Sequence, residues 1–206
     1  FVPPMGAIHV GHASLIKKSI KQSDKTIVTI FINKPQFNRK NDFLKYPRML
    51  NKDISILAKL KVDYLYLPSK KQIYPNGPNN NIKISAFKKK LCGKYRPGHF
   101  IAVVDVIDRF IKIIKPAKIY LGEKYMQQLK IVEHFVKKEH PGIKVVGCKT
   151  IREKNGIACS SRNFFLSTKE SFIASQIYKI IVEQKKNVIK KKLSLDKLKN
   201  KIYLLG

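Results

Sequence analysis

The sequence predicts an open, doubly wound parallel α/β sheet followed by the start of a smaller domain. Three observations carry this. Short β-branched apolar runs alternate with stretches whose apolar residues recur every three or four positions, the signature of βαβ units. The run Thr26-Ile27-Val28-Thr29-Ile30-Phe31-Ile32 is nearly all apolar, as a strand buried on both faces requires. After Thr150 the alternation stops, which places the boundary between residues 1–150 and 151–206.

The elements follow in order. Val2 closes a first strand, and His12 opens a helix running through Leu15, Ile16 and Ile20. Thr26–Ile32 is the next strand. Leu50, Ile54, Leu57 and Ala58 mark a helix, and Tyr64–Leu67 a strand ending at Pro68. The run Pro75–Asn81 is turn chemistry. Phe100, Val103, Val104, Ile107, Phe110, Ile111 and Ile114 share one helical face, and Lys115-Pro116 ends that helix. A strand fits Lys118–Leu121 before Gly122. Leu129, Val132, Phe135 and Val136 mark another helix, and Ile143–Cys148 the last strand. Right-handed crossovers then place ligands beyond the carboxyl ends of the strands. Beyond Thr150 a loop carrying Ser160 and Ser161 leads into helical, Lys-rich sequence.

Composition narrows the classes. The chain has 206 residues, enough for one sizeable core, and 44% of them are hydrophobic, which argues against disorder. It opens in an apolar run, Phe1-Val2-Pro3, without an initiator Met or a signal-peptide pattern, so the first strand is expected to be incomplete. No apolar run reaches the length of a membrane span. Cys92, Cys148 and Cys159 form no CxxC pair, which fits a reducing, cytoplasmic setting and argues against structural zinc. The net charge is +30, but only six basic residues are Arg, the type favoured for reading bases. Lys spread among Ile and Asn reads as codon bias, and the run Lys185–Lys201 as a solvated helical face. Nucleic acid is therefore not the expected partner.

Four segments carry candidate chemistry. The first is Met5-Gly6-Ala7-Ile8-His9-Val10-Gly11-His12, directly after a strand. Its glycines allow close backbone approach, the helix N-terminus offers unpaired N–H groups, and two imidazoles add donors, a set suited to charge developing on an α-phosphate. It has neither GxxxxGK[ST] nor GxGxxG spacing. An incidental His pair is the competing reading, and a metal site lacks a third ligand. The second is Cys159-Ser160-Ser161-Arg162-Asn163, a mobile donor cluster able to close over a triphosphate, or an ordinary loop. The third is Gly122-Glu123-Lys124-Tyr125-Met126-Gln127-Gln128, where Lys124 can reach phosphate and the two amides open a helix, or a plain strand-to-helix turn. The fourth is Asn33-Lys34-Pro35-Gln36-Phe37, whose neutral amides Asn33 and Gln36 suit a small polyhydroxy acid.

Taken together, these segments resemble the pantothenate synthetase (pantoate–β-alanine ligase) family of HxGH nucleotidyltransferases. The resemblance runs from Phe1 to about Ser167. It is carried by Val2–Gly6, His9-Val10-Gly11-His12, Asn33–Phe37, Tyr46-Pro47-Arg48, Ile73–Gly77, Arg96-Pro97-Gly98-His99-Phe100, Gly122-Glu123-Lys124, Gln127-Gln128-Leu129 and Ser160–Asn163. It implies a Rossmann-like fold, a smaller C-terminal lid domain that is truncated here, a homodimer and a two-step reaction. Pantoate attacks the α-phosphate of ATP, with Mg²⁺ on the phosphates, giving pantoyl adenylate and pyrophosphate. β-Alanine then attacks the acyl carbon, giving pantothenate and AMP.

By position, the resemblance gives Met5, Gly6, Ala7, Ile8, His9, Val10, Gly11 and His12 contacts to ATP, with His12 as proton donor. His9, Lys124 and Arg162 join His12 as the catalytic set. Gly122, Glu123, Lys124, Tyr125, Ile151, Cys159, Ser160, Ser161 and Arg162 line the ATP site, Gln36 and Gln128 hold pantoate, and no side-chain metal site is expected. The chain departs from the family at Pro4, at Lys34-Pro35, at Lys52 beside Asp53 on the metal side, at Ile101 and Asp105, at Tyr125 in place of Asp, and at Cys159. A homologue with weak or absent ligase activity and a basic nucleic-acid-binding protein are the alternatives.

Overall fold

A computed structural model describes residues 1–190 and 194–204. Two units emerge, Phe1–Thr150 and Ile151–Gly206.

In the first unit, β1 (Ile27–Thr29) pairs in parallel with β2 (Tyr64–Tyr66), and β3 (Lys118–Gly122) with β4 (Lys144–Cys148). Phe1 and Val2 join the two pairs. Val2 N–H donates to the Ile27 carbonyl at 3.0 Å, and the Val2 carbonyl accepts from Thr29 N–H at 3.1 Å, while Tyr120 N–H donates to the Phe1 carbonyl at 2.9 Å. The order across the sheet is β2, β1, Phe1–Val2, β3, β4, all parallel, which is the Rossmann-like, doubly wound arrangement. Its switch point lies between Phe1–Val2 and β3. The Met5–His12 and Gly122–Tyr125 segments follow directly from those two strands.

Side-chain alternation along the strands sorts the core onto two faces. Ile119 and Leu121 pack with α5 (His99–Ile114) and α6 (Met126–Glu139), through Val103, Val104, Ile107, Phe110, Leu129, Val132 and Val136. Val2, Val28 and Tyr120 face the other way, onto Ile16 of α1 (Val10–Gln22) and Leu57 of α3 (Leu50–Lys59). Two short helices, α2 (Lys40–Lys45) and α4 (Lys70–Ile73), fill the connections.

Two expectations change. The strand expected over Thr26–Ile32 is limited to Ile27–Thr29. Ile30 N–H still reaches the Tyr66 carbonyl at 3.2 Å, but the chain then turns into a 3₁₀ turn at Lys34–Gln36. His12 does not open α1. The helix starts at Val10, because the His9 side chain is its N-cap. The turn-rich stretch after Tyr74 is anchored at both ends, since Arg109 of α5 binds the carbonyls of Ile73 and Gly77 and Asp105 accepts from Asn79 N–H.

The second unit begins with an antiparallel bridge between Arg152 and Ala158, followed by a 3₁₀ turn at Ser161–Phe165. Helix α7 (Thr168–Ile189) starts at a capping box between Ser167 and Glu170, and α8 (Leu195–Tyr203) follows. Lys185, Lys186, Lys190, Lys197, Lys199 and Lys201 are exposed on or beside these helices, and the Lys191–Leu193 part of the expected basic face lies outside the described residues.

Candidate active site

The Met5–His12 loop has backbone geometry that the local sequence alone cannot hold. Gly6 (φ +98°) and Ala7 (φ +49°) both occupy the left-handed region, where a Cβ is disfavoured. A distant carboxylate holds the turn. Asp53 of α3, 1% exposed, accepts from Ala7 N–H at 2.8 Å and Ile8 N–H at 2.6 Å, one oxygen to each. The resemblance placed Asp53 on the metal side of the nucleotide. In the structure it pins the loop, each of its oxygens accepting from one backbone donor.

The two histidines follow from this anchoring. His9 Nδ1 accepts from Gly11 N–H at 3.1 Å, so the proton of a neutral His9 ring sits on Nε2. The His12 ring stacks on His9 with centroids 4.0 Å apart and planes 26° apart. Burial, then the neighbouring His9 and then Lys124 push His12 from its ordinary 6.5 down to about 3. At neutral pH it is an uncharged imidazole, able to offer an N–H hydrogen bond. His12 Nδ1 is buried with no hydrogen-bond partner among the described residues.

Lys124 sits in a 3₁₀ turn, Glu123–Tyr125, immediately after β3, and its charge is felt at His12. The structure therefore brings together the two segments that flank the switch point. The Lys124 ammonium stands 5.4 Å from the ring centroid of Tyr125, which is half exposed where the family pattern has a carboxylate.

Adjacent amides, alike in sequence, separate in space. Gln127 is buried and donates to the carbonyls of Phe87 and Lys90 at 2.8 and 2.7 Å, while its Oε1 accepts from the Cys92 thiol. It belongs to the scaffold. Gln128 is half-buried one helical step away. Asn33, expected at the ligand edge, is 1% exposed, and its carboxamide bonds Tyr74, Ala102 and Gln36. Gln36 keeps its Nε2 towards Met5 Sδ at 3.1 Å, and its carbonyl accepts from the His99 ring at 2.8 Å. Arg48, which carries part of the resemblance, donates to the carbonyls of Phe43, Leu44 and Tyr46 and so closes α2.

In the second unit, Ile151 and Cys159 are neighbours across the hairpin, with Cys159 N–H donating to the Ile151 carbonyl at 3.0 Å. Ser160 Oγ accepts from Arg162 N–H at 3.2 Å, and Ser161 is buried. Asn163, expected among the mobile donors, donates instead to Glu153 and to the Ala158 carbonyl. The hairpin itself is braced by Arg152, whose guanidinium lies 3.7 Å from the Tyr178 ring centroid and donates to the Gly156 carbonyl.

Two groups escaped the sequence reading, Asp53 as a loop clamp and the buried Asp105–Arg109 pair. The second had a signal, since an acid and a base four residues apart inside an otherwise apolar helical run mark a buried ion pair.

No helix among the described residues is long and apolar enough to cross a membrane. The pantothenate synthetase of a Sulfurihydrogenibium species is 42% identical over 186 residues, covering 90% of this chain and 66% of that protein. That of Clostridium botulinum strain Langeland is 45% identical over 170 residues, covering 82% and 60%. The chain thus spans less than two thirds of the length of these relatives. Among solved structures, the pantothenate synthetase of Thermus thermophilus superposes with a TM-score of 0.90 at 30% identity, covering the whole chain and 74% of that protein. The Francisella tularensis pantoate-beta-alanine ligase, determined with beta-gamma ATP and beta-alanine, gives 0.88 at 42% identity, covering the whole chain and 77% of that protein. The pantoate-beta-alanine ligase family model matches residues 1–204, and the chain belongs to that family.

Proposed function

We propose that this chain carries the catalytic unit of an ATP-dependent ligase that condenses pantoate with β-alanine through a pantoyl adenylate. The observation that carries the reading is the stacked His9–His12 pair, set on a loop pinned by Asp53 at the switch point of the sheet. The N-terminus of α1, where the His9 side chain engages Gly11 N–H, presents its positive dipole end and both imidazoles to an anionic ligand. Neutral His12 donates an N–H to charge developing on the α-phosphate. Lys124 adds a cation on the facing segment. Catalysis then comes from positioning and charge stabilisation, with carboxylate attack expelling pyrophosphate and the β-alanine amine later expelling AMP.

Met5, Gly6, Ala7, Ile8, Val10, Gly11, Gly122, Glu123 and Tyr125 line the nucleotide, with Ile151, Cys159, Ser160, Ser161 and Arg162 supplying the closing segment. Gln36 and Gln128 hold pantoate. Among the described residues no group of three His, Cys, Asp or Glu is placed to hold a metal ion, and Asp53 is committed to backbone donors. Mg²⁺ enters here as the counter-ion of the ATP phosphates, a role that asks for no cluster of three protein ligands. Three free cysteines support a reducing, cytoplasmic setting, and the family resemblance supports a homodimer, which light scattering tests.

The test is pantoate-dependent exchange of labelled pyrophosphate into ATP. Exchange that requires pantoate supports the reading. Exchange that is absent, or indifferent to pantoate, overturns it.

A further inference from the structure

The amide that the ligase reading places against pantoate is wired from behind, and the direction of the wiring can be read. The Ala102 carbonyl, on α5, can only accept a hydrogen bond. Asn33 meets it at 3.1 Å and has to present Nδ2. The same Nδ2 lies 3.0 Å from Gln36, which must answer with Oε1. Asn33 Oδ1 is left to accept from the Tyr74 phenol at 2.7 Å. Gln36 Nε2 is then the end turned outward, 3.1 Å from Met5 Sδ. The two ends of a carboxamide have nearly the same shape, so only this sequence of donors and acceptors tells them apart.

The far end of the relay is rigid. Tyr74 and Asn33 are 4% and 1% exposed. The Arg109 guanidinium lies 4.6 Å from the Tyr74 ring centroid. Arg109 is itself held by Asp105 at 2.7 Å and by the Ile73 and Gly77 carbonyls at 2.7 and 3.0 Å. Reversing Gln36 would set its amino group against Asn33 Nδ2, donor to donor. Reversing Asn33 as well would set Oδ1 against the Ala102 carbonyl, acceptor to acceptor. Neither arrangement is satisfied in a buried site.

We infer that Tyr74 and Asn33 are positioning residues that fix the Gln36 amide with its N–H₂ towards the site, so that this point takes an oxygen acceptor of the substrate, a hydroxyl or carboxylate oxygen, and refuses an amino group. Naming pantoate as the ligand rests on the ligase reading; the polarity rests on the hydrogen bonds alone.

Two measurements on the full chain test this, and they fail separately. The first needs no activity. In ¹⁵N-labelled protein the Asn33 side-chain NH₂, with both hydrogens bonded, exchanges slowly with water, and Tyr74→Phe speeds that exchange by about tenfold or more. An unchanged rate overturns the relay. Pantoate added to the unaltered protein shifts the Gln36 NH₂ resonances, and binding that shifts other resonances of the protein but not these overturns the outward polarity.

The second uses the pantoate-dependent exchange reaction. Tyr74→Phe raises the KM for pantoate by about five- to tenfold and leaves that for ATP within about twofold. In a Gln36→Ala background Tyr74→Phe has no further effect on pantoate, because its influence passes through Gln36. Additive effects, or equal losses for both substrates, mark Tyr74 as merely structural and overturn the inference. If the unaltered chain shows no exchange, the ligase reading falls, and the Asn33 amide exchange alone decides the relay.

Discussion

Asp53 holds the backbone amide of Ile8 at 2.6 Å from 45 positions further along the chain, and with its second oxygen it holds Ala7 as well. This contact joins α3 to the Met5–His12 loop and keeps two residues in the left-handed region. The loop therefore owes its shape to a carboxylate whose oxygens are both taken by backbone.

Asp53→Asn keeps the size and removes one acceptor, setting an NH₂ against a backbone N–H. The expected cost is about 1–3 kcal/mol of stability, with the exchange rate falling by about a hundredfold as the loop relaxes. Urea unfolding and pyrophosphate exchange measure the two effects. A stability loss with full exchange activity would show that the loop keeps its shape without the clamp.

His12 gives a pH dependence of known sign. Its pKa is lower in the folded protein, about 3, than its ordinary 6.5, so the unfolded chain takes up a proton in that window and the folded chain does not. Its contribution is complete above about pH 6.5 and is lost as the pH falls towards 3, by about 2 kcal/mol between pH 7 and pH 5. His12→Asn removes that share of the slope. Chemical unfolding of both proteins at the two pH values is the check, and parallel slopes would show that His12 titrates normally.

Arg109→Met leaves Asp105, with a side chain only 3% exposed, buried without its cation. The expected loss is about 3–5 kcal/mol. Pairing it with Asp105→Leu recovers most of this, because both charges then leave together. A double-mutant cycle by thermal unfolding measures the coupling, and simple additivity would mean that the pair is not coupled.

Gly156→Ala tests the brace of the second unit. A Cβ there falls 2.7 Å from Tyr178 Cδ1, on a backbone with φ +91°. About 1–3 kcal/mol of local stability is lost. Limited proteolysis between Arg152 and Ala158 should quicken by about tenfold or more. A cleavage rate like that of the unaltered chain would mean that Tyr178 gives way at little cost.

The alternation of strands and helices was legible because burial on both faces of a parallel sheet leaves continuous apolar runs such as Ile27-Val28, and one-sided burial leaves the spacing seen from Phe100 to Ile111. The Met5–His12 loop was legible as a candidate because glycine and histidine cluster directly after a strand. What was not legible depends on closure over distance. Nothing near Asp53 in sequence says that it meets Ile8. Gln127 and Gln128 are chemically identical neighbours, and the 100° turn of a helix between them sends one into the scaffold. Asn33 and Gln36 differ in the same way across a single 3₁₀ turn, one buried to orient the other.

The relay ending at the Ala102 carbonyl also limits how a lineage of such chains can change. Its one fixed acceptor sets the sense of every group after it. An acceptor-only replacement at Asn33 reverses the demand on Gln36, so these two positions are expected to drift as a pair. Tyr74 can give way only to another side chain that donates from the same place. Three stretches far apart in the chain are thereby expected to change together.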